Sequence, residues 1–174
     1  MGLTEGGMVV ILGVIFVQDT RSRSVHWLLF PALAVLFVAA GLLQHHSFLQ
    51  LLQTALINIL FLVVQFLLVS VYFFSKQKRW VNITAELIGW GDILLLLCVC
   101  FYLPVLNYLF FYIASLIMVL VVWIALQAVS RQRNEHIPLA GLQALFLLLF
   151  LIVNRFWLHY HLTDDAWLSN LIQR

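Results

Sequence analysis

Two aspartates, Asp19 and Asp92, lie at the edge of and inside long apolar stretches of the sequence. Asp92 closes the tetrapeptide Gly89-Trp90-Gly91-Asp92, and five aliphatic residues follow it. Two carboxylates that come close together in apolar surroundings do not both ionise readily, so near neutral pH one acts as an acid and the other as a base. Such a pair can hydrolyse a peptide bond, because the base takes a proton from water while the acid protonates the leaving amine.

The composition predicts an all-α integral membrane protein. Of the 174 residues, 64% are hydrophobic and 9% are charged, whereas about 25% of the residues of a soluble domain are charged. The length suits one compact helical bundle, and we expect a single transmembrane domain over residues 1–174. The first apolar segment has no basic residue before it, so it is interpreted as a retained helix and not as a signal peptide.

Polar breaks divide the chain into six predicted transmembrane helices of roughly the 20 residues that a bilayer requires. Pro104 and Asn107 interrupt the longest apolar run, and the polar stretch 19–24 is predicted to be a tight turn. The segment after the last helix, 157–174, is predicted to lie in the membrane interface. The six predicted spans cover residues 3–18, 25–43, 48–74, 83–103, 108–129 and 137–153.

The basic residues give this six-helix bundle an orientation. The turns after the first, third and fifth spans hold seven of the nine Lys and Arg residues, and such turns face the cytoplasm. Both termini are then extracytoplasmic, in a multi-pass protein of the cell membrane. Asp92 follows Ile83 by nine residues, roughly 13 Å of helix, so Asp19, Glu86 and Asp92 share the cytoplasmic side.

Each of these residues also has a structural interpretation. Asp92 is alternatively a buried carboxylate paired with a basic residue, although the first five predicted spans contain none. Asp19 is alternatively an ordinary charge in a solvated turn. Glu86 either tunes the site or pairs with Lys78 or Arg79.

The two glycines before Asp92 have two interpretations as well. Gly89 and Gly91 permit close helix approach, or they permit a local break beside which a substrate backbone lies. On the third predicted span, a polar stripe at helical spacing is expected to face the bundle interior; it consists of Gln50, Thr54, Asn58 and Gln65. Cys98 and Cys100 point to different helix faces, and we expect no metal and no organic cofactor.

Three stretches together resemble the type IV prepilin peptidases and the archaeal preflagellin peptidases, which are GxGD-type intramembrane aspartyl proteases with a six-helix core. Asp19-Thr20-Arg21-Ser22-Arg23-Ser24-Val25 is similar to the first catalytic aspartate and its basic turn. Gly89-Trp90-Gly91-Asp92 is similar to the second catalytic motif. Ile137-Pro138-Leu139-Ala140-Gly141 is similar to the segment that opens the last helix. The order of the stretches agrees with that family over nearly the whole chain.

The resemblance implies that Asp19 and Asp92 are a catalytic pair and that the chain is the minimal, peptidase-only form. Its substrate would be a pilin-like precursor with a short basic leader, a glycine before the cut and an apolar helix after it. Membrane lipid is the other expected partner, and no nucleic acid is expected. Val25-His26-Trp27 stands where the family has Ile-Pro-Asn, and Leu94 stands where it has lysine. These departures keep open a non-catalytic scaffold of a pilus or secretion assembly, alongside a transporter that uses both aspartates as proton carriers.

Overall fold

The described part of the chain consists almost entirely of helices. A computed structural model describes residues 3–22, 24–44, 47–77, 89–129 and 139–155. Within these ranges there are helices and no strands, which confirms the predicted all-helical class. The helices are α1 (Leu3–Ser22), α2 (Leu29–Leu43), α3 (Phe48–Gln77), α4 (Trp90–Val99), α5 (Val105–Val129) and α6 (Leu139–Val153).

The first helix is longer than predicted. It runs to Ser22, so Asp19 lies inside its last turn and not in a polar turn after it. Two hydroxyls in its last turn bond carbonyls one turn back, since Thr20 Oγ1 donates to Phe16 O and Ser22 Oγ donates to Gln18 O, both at 2.7 Å. The second helix starts later than predicted, at Leu29, and Pro31 stands in its first turn, where a proline costs no intrahelical hydrogen bond.

The fourth helix begins only two residues before Asp92. Gly89 is extended, with φ −66° and ψ 147°, and α4 starts at Trp90. Asp92 therefore lies in the first turn of a helix, although the prediction placed it in the middle of one. Residues 83–88 of the predicted span lie outside the described residues.

Four helices supply most of the buried core, to which α3 adds Leu62 and α5 adds Tyr108 and Phe111. α1 and α6 run antiparallel, since Asp19 contacts Gly141 at one end and Glu5 Oε2 lies 3.9 Å from Arg155 Nε at the other. α2 and α4 complete the group, and Cys98 Sγ of α4 donates to Phe30 O of α2 at 3.1 Å. The fully buried side chains that fill the space between these helices include Leu12, Ile15, Leu33, Phe37, Leu95, Val99, Ala144 and Leu147.

The remaining helices, α3 and α5, form an outer pair. Phe61 of α3 packs edge-on against Tyr108 and Tyr112 of α5, with ring centroids 6.3 and 5.5 Å apart. These helices contain Phe48–Tyr72, with 25 residues, and Val105–Ala125, with 21 residues, and both are long and apolar enough to cross a membrane. Only 17% and 22% of their most apolar windows are buried, so they differ from the core helices of a soluble protein.

The other four helices do not pass the same test of length and composition. α2, α4 and α6 are apolar, but they have 15, 10 and 15 residues among those that the structure describes. Two helices thus support association with a membrane. The six-span arrangement and its orientation stay predictions.

The predicted hairpin between the fourth and fifth helices is present at Pro104, and Asn58 of α3 holds it. Asn58 Nδ2 donates to Leu103 O at 2.9 Å and to Cys100 O at 3.3 Å. Asn58 is 1% exposed, as expected for the polar stripe of α3. The stripe is not buried along its whole length, because Gln50 at its start is exposed and its Oε1 accepts the backbone N–H of Ser47.

Candidate active site

Asp19 is a buried carboxylate at the end of α1. It is 9% exposed, although it is one turn from exposed Arg21 and Ser22. A negative charge in the last turn of a helix is unfavourable, because the carbonyl end of the helix is itself negative. The carboxylate is compensated from another helix, since Gly141 N–H of α6 donates to Asp19 Oδ2 at 2.6 Å.

Asp92 is buried as deeply, with 8% exposure, and its local setting is the opposite one. It is in the first turn of α4, where a carboxylate interacts favourably with the helix dipole. Asp92 Oδ2 accepts the backbone N–H of Gly89 at 3.1 Å, and Asp92 N–H donates to Gly89 O at 3.1 Å. The extended Gly89 thus fixes the carboxylate where the helix begins.

The start of α6 brings the two aspartates together. Gly141 N–H binds Asp19, and the neighbouring backbone N–H of Ala140 interacts with the Asp92 carboxylate. The two carboxylates are also close enough for charge on Asp19 to act on Asp92. Backbone N–H groups in the first turn of a helix lack intrahelical acceptors and attract anions, so the first turn of α6 gathers both acids in one place.

Close packing at this junction depends on small residues. A Cβ atom built on Gly141 would lie 2.9 Å from Asp19 Oδ2 and 3.0 Å from Asp19 Cβ, so any side chain there displaces the aspartate. A Cβ on Gly91 would lie 3.7 Å from Ala140 Cβ and 3.8 Å from Phe30 Cζ, which is ordinary contact. Of the two interpretations offered for the glycines, Gly89 fits the local break, and Gly91 leaves room for one methyl group beside α6.

The residues that depart from the family pattern have structural explanations. Leu94 is half-buried and packs against the hydrophobic core, so it occupies apolar space where the family has a lysine. Val25 packs against the same core, and His26 donates its backbone N–H to Gln18 Oε1 at 3.0 Å. Trp27 is 65% exposed. The stretch after α1 is therefore held by these two contacts, without the proline that the family has at this place.

Most of the predicted site residues lie at one junction. Asp19, Asp92, Gly89 and Gly91 meet near the start of α6, whereas Glu86 lies outside the described residues, as do Lys78 and Arg79. No three His, Cys, Asp or Glu side chains converge on a possible metal site within the described ranges. The junction offers two acids held by backbone donors in apolar surroundings, which is an arrangement suited to proton transfer.

Sequence reasoning did not assign a role to the backbone of Ala140 and Gly141. The available signal was the pair of small residues after Ile137-Pro138, because small residues at a helix start allow another chain to approach its N–H groups. Gln143, two residues further, was also missed. Its side chain is fully buried.

Comparison of the chain with protein-family models, with curated proteins and with solved structures finds no match. The resemblance to prepilin peptidases therefore stays an expectation from the three sequence stretches that carry it.

Proposed function

We propose that this protein is an intramembrane aspartyl endopeptidase that removes leader peptides from type IV pilin-like precursors at the cytoplasmic face of the cell membrane. One observation carries the proposal: the carboxylates of Asp19 and Asp92, 73 positions apart in the sequence, both interact with the first turn of α6. Three separate stretches of sequence, each similar to a family motif, thus converge at one buried point.

The chemistry follows from the two acids alone. One aspartate, as the base, takes a proton from a water molecule, and that water attacks the carbonyl carbon of the scissile peptide bond. The other aspartate, as the acid, protonates the leaving amine, so the proton balance closes without a metal or an organic cofactor. Because both carboxylates are buried and close to each other, a single shared negative charge is favoured over two charges, and the pair titrates as a unit.

The arrangement of the helices supports the proposed orientation. α1 ends with Arg21 beside Asp19, and α3 ends with Lys76. α2 starts near the site, where Phe30 faces Gly91, and it ends where Gly41 meets Leu51 near the start of α3. α3 therefore runs back toward the aspartates, and the described basic residues of both turns lie at the same end of the bundle, as the positive-inside rule requires for a cytoplasmic site.

A non-catalytic scaffold of a pilus or secretion assembly is the second candidate. It is favoured by Leu94, a half-buried residue that packs against the core where the family has a charged side chain. It is also favoured by the exposed Trp27 in place of the family's asparagine. A scaffold of this fold would bind pilin-like precursors and leave them uncut.

Co-expression with a candidate prepilin tests the proposal, with leader loss followed on a gel. Asp19→Asn and Asp92→Asn should each lower cleavage by at least about a hundredfold, which is the scale of general acid–base catalysis. Asparagine keeps an oxygen that accepts the N–H of Gly141 or Gly89, so both variants should fold. Glu5→Gln is the matched control, because this carboxylate lies at the opposite end of α1 beside Arg155 and its loss should leave cleavage unchanged.

The other outcomes are informative in the same experiment. Cleavage that survives either aspartate substitution would exclude the proposed pair. A parent protein that cuts no pilin-like precursor would favour the scaffold. A proton flux through vesicles that both substitutions abolish would favour a transporter.

A further inference from the structure

Gln143 is the one fully buried glutamine in the described part of the chain, and its side chain has no hydrogen bond there. It is 0% exposed, and neither Nε2 nor Oε1 finds a partner among the described residues. The other buried polar side chains near the two ends of the bundle each bind backbone: Asp19 and Asp92 accept N–H groups, and Asn58 donates to carbonyls. A buried amide with both atoms unpaired is costly compared with leucine or methionine of similar size, so an external partner would explain its presence.

The position of Gln143 points to the carboxylate pair. It lies three residues after Ala140 on the same buried face of α6, about 4.5 Å further along the helix axis. Ala140 is the residue whose backbone interacts with Asp92 and whose Cβ faces Gly91. Long helical side chains lean toward the helix N-terminus, and that is the end of α6 with which Asp19 and Asp92 interact.

A peptide in this site would need the groups that Gln143 offers. A substrate segment that enters an apolar site must have its backbone N–H and C=O groups satisfied by protein, because no lipid group can do so. A primary amide carries one donor group and one acceptor on the same carbon. It can pair with the N–H and the C=O of one extended residue, because these two groups point to the same side of the chain. Helices α4 and α6 are packed together at Gly91 and Ala140, with room for no more than a methyl group between them. A substrate must therefore part these two helices to reach Gln143, and the absence of a side chain at Gly91 eases that approach.

We propose that Gln143 is a substrate-binding residue whose amide pairs with the main chain of the precursor next to the scissile bond. Nε2 donates to a substrate carbonyl, and Oε1 accepts a substrate N–H. The inference rests on the proposed peptidase function, and it adds main-chain recognition to it, which fits a site that must accept precursors of differing sequence.

The test uses the full chain purified in detergent and a synthetic precursor peptide with a basic leader, a glycine before the cut and an apolar segment after it. Gln143→Met keeps the length of the side chain and removes both polar atoms. We expect KM to rise at least tenfold, kcat to change less than threefold, and the melting temperature of the free protein to stay equal or rise. Leu147→Met, on the same buried face of α6, is the control and should leave KM unchanged.

Peptide binding is also measured without catalysis, by fluorescence anisotropy in the Asp19→Asn background. There Gln143→Met should weaken binding at least tenfold. A lower melting temperature with unchanged KM and unchanged binding would show that Gln143 is structural, and it would overturn the inference while the peptidase proposal stands. If the parent binds the peptide without cutting it and binding depends on Gln143, the peptidase proposal fails and the binding site remains. If the parent neither binds nor cuts the peptide, both fail.

Discussion

At the aspartate end of the bundle, buried carboxylates accept hydrogen bonds from backbone N–H groups, whereas at the α4–α5 hairpin the buried amide of Asn58 donates to backbone carbonyls. Each choice fits the backbone it meets. Helices α4 and α6 begin at the aspartate end, where unpaired N–H groups and the positive end of the dipole favour an anion. Helix α4 ends at the hairpin, where unpaired carbonyls require a donor.

A neutral amide would satisfy the backbone hydrogen bonds at both ends of the bundle, yet one end has carboxylates instead. At the hairpin, a neutral amide satisfies Cys100 O and Leu103 O. At the aspartate end a neutral amide would serve as well, because an asparagine oxygen can accept the N–H of Gly141 or Gly89. The hydrogen bonds at the aspartate end therefore do not require ionisable groups. Burying two carboxyl groups side by side costs free energy of folding that two asparagines would not cost. The excess cost is the physical reason to assign these carboxylates a chemical task.

Exchanging the two kinds of side chain gives the largest expected effect on stability. Asn58→Asp removes the donor and directs a carboxylate at Cys100 O and Leu103 O, so it should lower the free energy of unfolding by about 3–5 kcal/mol, as for an uncompensated buried charge. The reverse exchange, Asp19→Asn, should change it by less than about 1 kcal/mol, because the acceptor for Gly141 is kept. Thermal melting of both variants in detergent measures the contrast.

A change of pH provides a control for Asn58→Asp. Lowering the pH protonates the new carboxyl group, which can then donate to one of the two carbonyls, so part of the stability lost in Asn58→Asp should return in acid. If instead Asp19→Asn is the more destabilising exchange, the aspartate is needed for packing, and the argument that its charge serves chemistry fails.

Much of this architecture could be read from the sequence, and the reasons are specific. The apolar runs and the break at Pro104 predicted α3, α5 and the hairpin closely, because long apolar periodicity and a helix-breaking residue are local signals. The position of Asn58 on the polar stripe of α3 predicted its burial. The charged turns predicted that Asp19 and Asp92 share a side, and both interact with the start of α6; Glu86, predicted on the same side, lies outside the described residues.

Contacts between distant segments were harder to predict. The end of α1 was placed too early, because Thr20 and Ser22 lie in a polar stretch typical of a turn. In the structure both hydroxyls bond carbonyls one turn back within the helix. The start of α4 at Trp90 depends on the extended Gly89. The donors from Ala140 and Gly141 are backbone groups, which no side-chain pattern encodes.

The close contact at Gly141 is another feature that the sequence does not reveal, and substituting this glycine gives the next largest expected effect on stability. Gly141→Ala places a methyl carbon 2.9 Å from Asp19 Oδ2 and 3.0 Å from Asp19 Cβ, so α1 and α6 must separate or the aspartate must turn away. Overpacking of this kind costs about 1–3 kcal/mol. Cleavage should fall at least about tenfold, because small misplacements of a catalytic group are amplified in the rate.

Gly13→Ala is the matched control for Gly141→Ala. It lies at the same α1–α6 contact, where a new Cβ would meet only Leu148 Cδ1 at 3.8 Å. Melting temperature and cleavage of a pilin-like precursor are measured for both variants. Equal losses in the two variants would mean that general packing of α1 on α6, and not the position of Asp19, governs the site.

The smallest expected effect on stability comes from Gly91→Ala. This variant distinguishes an effect on substrate binding from an effect on folding, because only KM is expected to change. The new methyl carbon would lie 3.7 Å from Ala140 Cβ and 3.8 Å from Phe30 Cζ, so it fits without displacing either residue. Alanine is favoured over glycine inside a helix by about 1 kcal/mol, so the melting temperature should hold or rise slightly. If a substrate parts α4 from α6 and its backbone then lies against Gly91, the methyl group occupies the place of that backbone and KM should rise severalfold. Gly6→Ala, which meets nothing within 4 Å in α1, should leave KM unchanged. If KM is equally unchanged in Gly91→Ala, the substrate passes elsewhere, and the glycine serves the packing of α4 against its neighbours.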